Sequence, residues 1–208
     1  MRKDTGVVYV VDNDFDFCRS VEAMVQSMGL PSLAFSSAEQ FLTSMTDEPH
    51  GCLITDIRLL GMSGLQLVKE IAAHQWELPS IIVTGYGDVR LAVESLKAGA
   101  FTFLEKPYRD QELWDAIIQA IEKGQTRLQD RKFRQHVNAC LGKLTTEETD
   151  ILRELLRSTP LKSIAVKLNL SLRTIDLRRK SILDKLQVES KIDLAKVIMK
   201  AGISIDEI

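Results

Sequence analysis

The sequence predicts an α/β fold, a doubly wound parallel five-stranded sheet, followed by a helical linker and an all-α domain. Three observations carry this. Apolar runs recur, and each stops on polar residues: Val7–Val11 at Asp12-Asn13-Asp14, Cys52–Thr55 at Asp56, Ser80–Val83 at Thr84-Gly85, and Phe101–Leu104 at Glu105-Lys106-Pro107. Between the runs the apolar residues switch to helical spacing. Past about residue 143 the strand-like runs cease and only helical patterns remain. Strands alternating with helices build a parallel sheet covered on both faces.

The elements follow in order. After the first strand, Phe17, Val21, Met24, Val25 and Met28 mark a helix over 15–28, stopped by Gly29. Leu33–Phe35 is a short strand, and Ser37-Ala38-Glu39-Gln40 has capping-box spacing at the head of a second helix. The strand ending at Asp56 precedes a third helix marked by Leu65, Leu67, Val68 and Ile71. The strand ending at Thr84 precedes a fourth, marked by Val89, Ala92, Val93 and Leu96 and ended by Gly99. After the last strand, Trp114, Ile117, Ile118 and Ile121 mark the fifth helix.

Residues 123–142 read as a solvated helical linker. Ile121, Leu128 and Val137 leave a sparse apolar stripe among Lys123, Arg127, Arg131, Lys132 and Arg134, with no sustained a/d pattern for a dimerising coiled coil. Thr145-Thr146-Glu147-Glu148 is a capping box ahead of Ile151, Leu152, Leu155 and Leu156. Pro160 opens a helix holding Ile164, Ala165 and Leu168. Asn169-Leu170-Ser171 is a turn with Ser171 as N-cap. A longer helix runs from about Leu172 to Leu186, and another from about Ser190 to Ala201, ended by Gly202. Short helix, tight turn and longer helix make a helix-turn-helix. The expected domains are 1–122, 123–142 as linker, and 143–208.

Composition excludes several classes. With 45% hydrophobic and 27% charged residues the chain is an ordinary globular protein, and no apolar stretch approaches the roughly 18 residues of a membrane span. Met1-Arg2-Lys3-Asp4 leads into a strand and lacks signal-peptide shape. Cys18, Cys52 and Cys140 have no metal-type spacing and read as reduced thiols of a cytoplasmic protein. Charge is unevenly spread: residues 1–109 hold 9 Lys and Arg against 14 Asp and Glu, whereas 143–208 hold 13 against 10. An acidic front and a mildly basic rear suggest two jobs in one chain.

Ligands on parallel sheets bind beyond the carboxyl ends of the strands, near the switch in strand order. Asp12, Asp56, Thr84 and Lys106 fall there together. Any one alone would be a turn or cap residue; their joint occurrence at strand ends makes a site. Carboxylates held close repel each other and attract a hard cation, and Mg²⁺ takes oxygen ligands while keeping several waters. A carboxylate beside Mg²⁺ can attack a phosphoryl group to form an aspartyl phosphate. That reaction needs charge neutralisation above all, which Lys106, a Thr84 hydroxyl donor and the metal would supply.

Val11-Asp12-Asn13-Asp14, Thr55-Asp56-Ile57-Arg58, Gly61-Met62-Ser63-Gly64, Val83-Thr84-Gly85 and Glu105-Lys106-Pro107 together resemble the receiver domain of two-component response regulators, over residues 5 to about 122. The resemblance implies a flavodoxin-like fold, with Asp56 as acceptor of phosphate from a sensor histidine kinase. It implies Mg²⁺ held by Asp12, Asn13, Asp56 and the Arg58 backbone carbonyl. It implies Thr84 and Phe103 as a switch pair reporting to the face around the fourth helix and fifth strand, and a cis Lys106–Pro107 peptide. Two positions depart from the pattern. Asn13 stands where the family usually has a second acid, so it offers an oxygen but no charge. Leu59-Leu60 stand where the family often has an apolar residue and proline. Asp14, on a strand-like backbone, would point away from the site.

On the longer rear helix, stepping about 100° per residue from Ile175 brings Ile182 and Leu186 within about 20° of it, with Leu183 nearby. Arg173, Asp176, Leu177, Lys180 and Asp184 fall opposite. An exposed Leu177 suits a thymine methyl, Lys180 a guanine edge or a phosphate, and Arg173, Thr174 and Arg178 suit phosphates. Leu144-Thr145, Glu148, Leu152, Lys162-Ser163-Ile164-Ala165, Leu168, Leu170-Ser171, Arg173-Thr174-Ile175, Ile182, Lys185-Leu186 and Leu194 resemble the LuxR-type helix-turn-helix of the FixJ/NarL class. By that resemblance Asp176, Leu177 and Lys180 face the bases; Asp176 would accept from cytosine or oppose unspecific binding. Arg178 replaces a frequent His, and Ser158-Thr159-Pro160 replaces Gly-containing text.

The expected protein is a transcription regulator that is not an enzyme beyond Mg²⁺-dependent phosphorylation of itself on Asp56. Phosphate on Asp56 draws Thr84 inward, Phe103 rotates, and the chain forms a homodimer on double-stranded DNA, away from membranes. The rivals are a phosphorylation-independent DNA-binding regulator with a degenerate receiver, a phosphatase using Asp56 covalently, and a four-helix protein-interaction domain in the rear.

Overall fold

The computed structural model describes residues 6–85 and 89–208. Met1–Asp4 and the side chain of Val89, both used above, lie outside the described residues. The chain divides into two compact units, at Leu128 and Gln129.

In the first unit β1 (Val7–Val11), β2 (Ser32–Phe35), β3 (Gly51–Thr55), β4 (Ser80–Thr84) and β5 (Thr102–Glu105) alternate with α1 (Phe15–Ser27), α2 (Ala38–Ser44), α3 (Gly64–Ala73), α4 (Val89–Lys97) and the first part of α5 (Asp110–Leu141), whose remainder from Gln129 belongs to the second unit. All pairings are parallel, in the order β2-β1-β3-β4-β5. β3 and β4 are buried along their whole length, which is why both read as unbroken apolar runs. One face of the sheet packs Val8, Val10, Ile54, Ile81 and Val83 against Leu113 and Ile117 of α5. The other packs Tyr9, Val11 and Leu53 against Phe41, Leu67 and Ile71. Phe41 is fully buried, and Tyr9, Phe35 and Trp76 all meet it edge-on.

The second unit holds α6 (Thr146–Leu156), α7 (Leu161–Leu168), α8 (Leu172–Lys185), α9 (Lys191–Lys200) and a last 3₁₀ turn, Ile205–Glu207. Its core is Ile151, Leu152, Leu155, Ile164, Ile175, Ile182, Leu194 and Ile198. The turn between α7 and α8 closes as the sequence predicts. Asn169 takes the left-handed conformation at φ 53°, and Ser171 caps α8 by accepting from Thr174 N–H.

Three details differ from expectation. The box at Ser37 is displaced: Ser37 accepts from Gln40 N–H, but the Gln40 side chain reaches the N–H of Ser36 instead. A full capping box instead joins Ser63 and Gln66 at α3. The linker is helical, as a continuation of α5, but not simply solvated: Val137 and Cys140 are buried in the second core. Among the described residues no helix is long and apolar enough to cross a membrane.

Candidate functional site

Strand register builds the acidic site. Val11 pairs with Thr55, so Asp12 and Asp56 follow as neighbours, just beyond the ends of β1 and β3. Asp56 N–H donates to the Val11 carbonyl at 3.3 Å. Thr84 pairs with Glu105, which places Lys106 one residue further, its N–H donating to the Thr84 carbonyl at 2.8 Å. The switch in strand order falls between β1 and β3, beside the two carboxylates.

Asp12 is 3% exposed. One carboxylate oxygen accepts from Asp14 N–H at 2.9 Å and the other meets Lys106 Nζ at 3.3 Å. Burial pushes its pKa up, and the charge of Asp56 pushes the same way; the Asp14 N–H and Lys106 only partly offset them. Asp56 is half-buried, and its Oδ1 accepts from Arg58 N–H at 3.3 Å. Asn13 is exposed. Asp14 turns away, as expected, and caps α1 by accepting from the N–H groups of Asp16 and Phe17.

Thr84 is buried, and Phe103 is half-buried against Ile57, Val68, Ile82 and Ala100. The Lys106–Pro107 peptide is cis. Gly64 is required: a Cβ there would collide with the Asp56 carbonyl oxygen.

Two contacts escaped sequence reasoning. Lys106 Nζ stands 3.6 Å from the ring centroid of Phe17, a residue read only as core. Glu39 of α2 accepts from Met62 N–H at 2.7 Å and so pins the loop after Asp56, where no proline stiffens it.

The donor set around the carboxylates is all oxygen, which suits a hard cation that keeps several waters. Among the described residues no group of three or more His, Cys, Asp and Glu gathers. A metal here would therefore rest on Asp12 and Asp56 with neutral oxygens from Asn13 and the Arg58 carbonyl.

On α8, Ile175 and Ile182 are fully buried and Leu186, its C-cap, is 5% exposed. Arg173, Asp176, Leu177, Lys180 and Asp184 are exposed, with Leu177 at 63%. Thr174 is half-buried, its hydroxyl 2.8 Å from Ser171 Oγ. Arg178 also pairs within the domain: its Nε donates to Glu147 on α6 at 2.5 Å, with its side chain 43% exposed. Arg179, which the sequence reading did not single out, approaches Asp176 at 3.5 Å.

Beneath them Glu148, 1% exposed, accepts from Lys185 Nζ at 2.6 Å, Ser181 Oγ at 2.7 Å and Thr145 N–H at 2.8 Å. Burial would raise its pKa, but these partners outweigh it and hold the carboxyl down at about 2. They anchor α8 to the first turn of α6.

Residues 8–118 match the model of the response regulator receiver domain, and residues 142–198 that of bacterial regulatory proteins of the luxR family. The chain belongs to the two-component response regulators. It is 34% identical to the transcriptional regulatory protein FixJ of Bradyrhizobium diazoefficiens, over 95% of this chain and 96% of that one. It is 33% identical to Nodulation protein W of the same organism, over 96% and 88%. Among solved structures it resembles the response regulator StyR, with a TM-score of 0.83 and 33% identity over 94% of this chain and 99% of that one. Full-length FixJ from B. japonicum gives a TM-score of 0.60 at 33% identity, over 96% and 98%. The protein is a two-component transcriptional regulator with a LuxR-type DNA-binding domain. Its two domains imply a kinase partner and DNA binding.

Proposed function

We propose that Asp56 accepts a phosphoryl group from a sensor histidine kinase and that this controls operator binding by α8. The observation that supports it most is the meeting of Asp12, Asp56 and Lys106 at the carboxyl ends of β1, β3 and β5. Asp56 is the accessible carboxylate of the pair and acts as nucleophile. Asp12, Asn13, Asp56 and the Arg58 carbonyl would hold Mg²⁺, which when bound would supply charge neutralisation for the phosphoryl oxygens. Lys106 supplies a second positive charge, and the Thr84 hydroxyl donates to a phosphoryl oxygen. Movement of Thr84 toward that oxygen opens space that Phe103 follows. The α4–β5 face, where Val93 and Leu96 are 44% and 50% exposed, then pairs two copies.

In the dimer two α8 helices meet half-sites one turn apart. Lys180 carries a guanine or phosphate contact, Arg173 and Thr174 phosphate contacts, and Asp176 and Leu177 face bases; Arg178, paired with Glu147, steadies the helix and lies within reach of a phosphate.

The test treats the full chain with a small phosphodonor and Mg²⁺, followed by mass spectrometry and DNA titration. One phosphoryl group on the wild type, none on Asp56→Ala, and tighter DNA binding only in the wild type are expected. Equal labelling of both proteins overturns the reading. A second reading, a regulator that binds DNA without phosphate, is favoured by Asn13 alone, and unlabelled wild type with full operator affinity would select it.

A further inference from the structure

We propose that Phe17 is a positioning residue for the phosphoacceptor chemistry, acting through Lys106; this rests on the function proposed for Asp56. Lys106 has a flexible four-carbon stem and three donors. Its side chain is 27% exposed, so burial alone leaves it room to swing into water. Two groups hold the ammonium. The Asp12 carboxylate lies 3.3 Å from it, and the Phe17 ring centroid lies 3.6 Å away. That second distance is a close cation–π contact.

Local structure makes the contact possible. Asp14 starts α1 and fixes Phe17 in the first turn by accepting its N–H at 3.1 Å. Phe17 also packs against the core cluster of β1 and α5. The ring is therefore a fixed platform and the lysine is the mobile partner. Held between ring and carboxylate, the ammonium stays at the rim where Asp56 would be phosphorylated, and less rotamer freedom is lost when a phosphoryl oxygen arrives. Aliphatic side chains in place of the ring would fill space without attracting the cation.

The experiment measures phosphorylation rates of the full chain with a small phosphodonor at saturating Mg²⁺ for wild type, Phe17→Leu, Phe17→Tyr, Lys106→Met and the Phe17→Leu/Lys106→Met pair. Phe17→Leu should slow phosphorylation by roughly two- to thirtyfold, and Phe17→Tyr should restore it. In the Lys106→Met background Phe17→Leu should add nothing. A merely structural role would show the same slowing in both backgrounds, which overturns the inference. In the unphosphorylated wild type the Lys106 ε-methylene protons should also be shifted upfield by the ring. An ordinary lysine shift there overturns the inference even if Phe17→Leu does not fold. Wild type that takes up no phosphate from the donor at all would instead defeat the function proposed for Asp56, leaving the lysine shift as the separate reading of Phe17.

Discussion

Glu148→Gln should loosen the DNA-binding domain while leaving the receiver intact. Glu148 is 1% exposed, and its carboxyl is held at about 2 against an ordinary 4.5. That difference corresponds to ~3 kcal/mol of preference for the ionised form in the fold. Glutamine keeps the shape but removes the charge beside Lys185 and Ser181. The Lys185 side chain is 31% exposed and can rehydrate in part, so a net loss of about 2 kcal/mol at pH 7 is expected.

Because the folded pKa is depressed, the stabilisation is present above the unfolded value and fades as pH falls from about 5 toward 2; about 0.8 kcal/mol should be gone at pH 4. Amide hydrogen exchange read by mass spectrometry reports on α6 and α8 directly. Protection there should fall roughly thirtyfold in the variant at pH 7, and the gap to wild type should narrow on acidification. Trp76 and Trp114 both belong to the first unit, so their fluorescence serves as an internal control. Equal protection of α8 in the two proteins at pH 7, or a gap that stays constant down to pH 3, would refute the reasoning.

Other outcomes follow from the same geometry. Asn13→Asp adds a charge beside Asp12 and should tighten Mg²⁺ binding by roughly tenfold, measured by calorimetry; unchanged affinity removes position 13 from the metal site. On DNA, Lys180→Ala should lower the slope of log affinity against log salt by about one. Leu177→Ala should leave that slope unchanged and weaken one preferred sequence by ~1 kcal/mol; an altered slope for Leu177→Ala would contradict its placement facing bases.

Much of this architecture was legible in the sequence, for identifiable reasons. A strand buried on both faces must be apolar throughout, so β3 and β4 announce themselves, and the first polar residue marks where each leaves the sheet. The α8 stripe of Ile175 and Ile182 was legible because one helix has one period. What escaped were contacts between residues distant in sequence. Phe17 and Lys106 lie 89 residues apart in numbering, and only the strand order brings them together. Arg178 sits at the edge of its helical stripe, and its orientation was decided by Glu147, 31 positions away. Glu39 showed only as part of a cap, while its carboxylate serves the loop after Asp56. At α2 the spacing was right but the partner slipped by one, because Gln40 found the Ser36 N–H and hydroxyl together.

The residues that fasten α8 and those it presents outward are separate sets. Ile175, Ile182, Arg178, Ser181 and Lys185 secure the helix to the rest of the domain, while Arg173, Asp176, Leu177 and Lys180 are exposed. On the reading proposed above, changes at Asp176, Leu177 and Lys180 redirect this regulator to a new promoter while the contacts that fasten α8 stay in place.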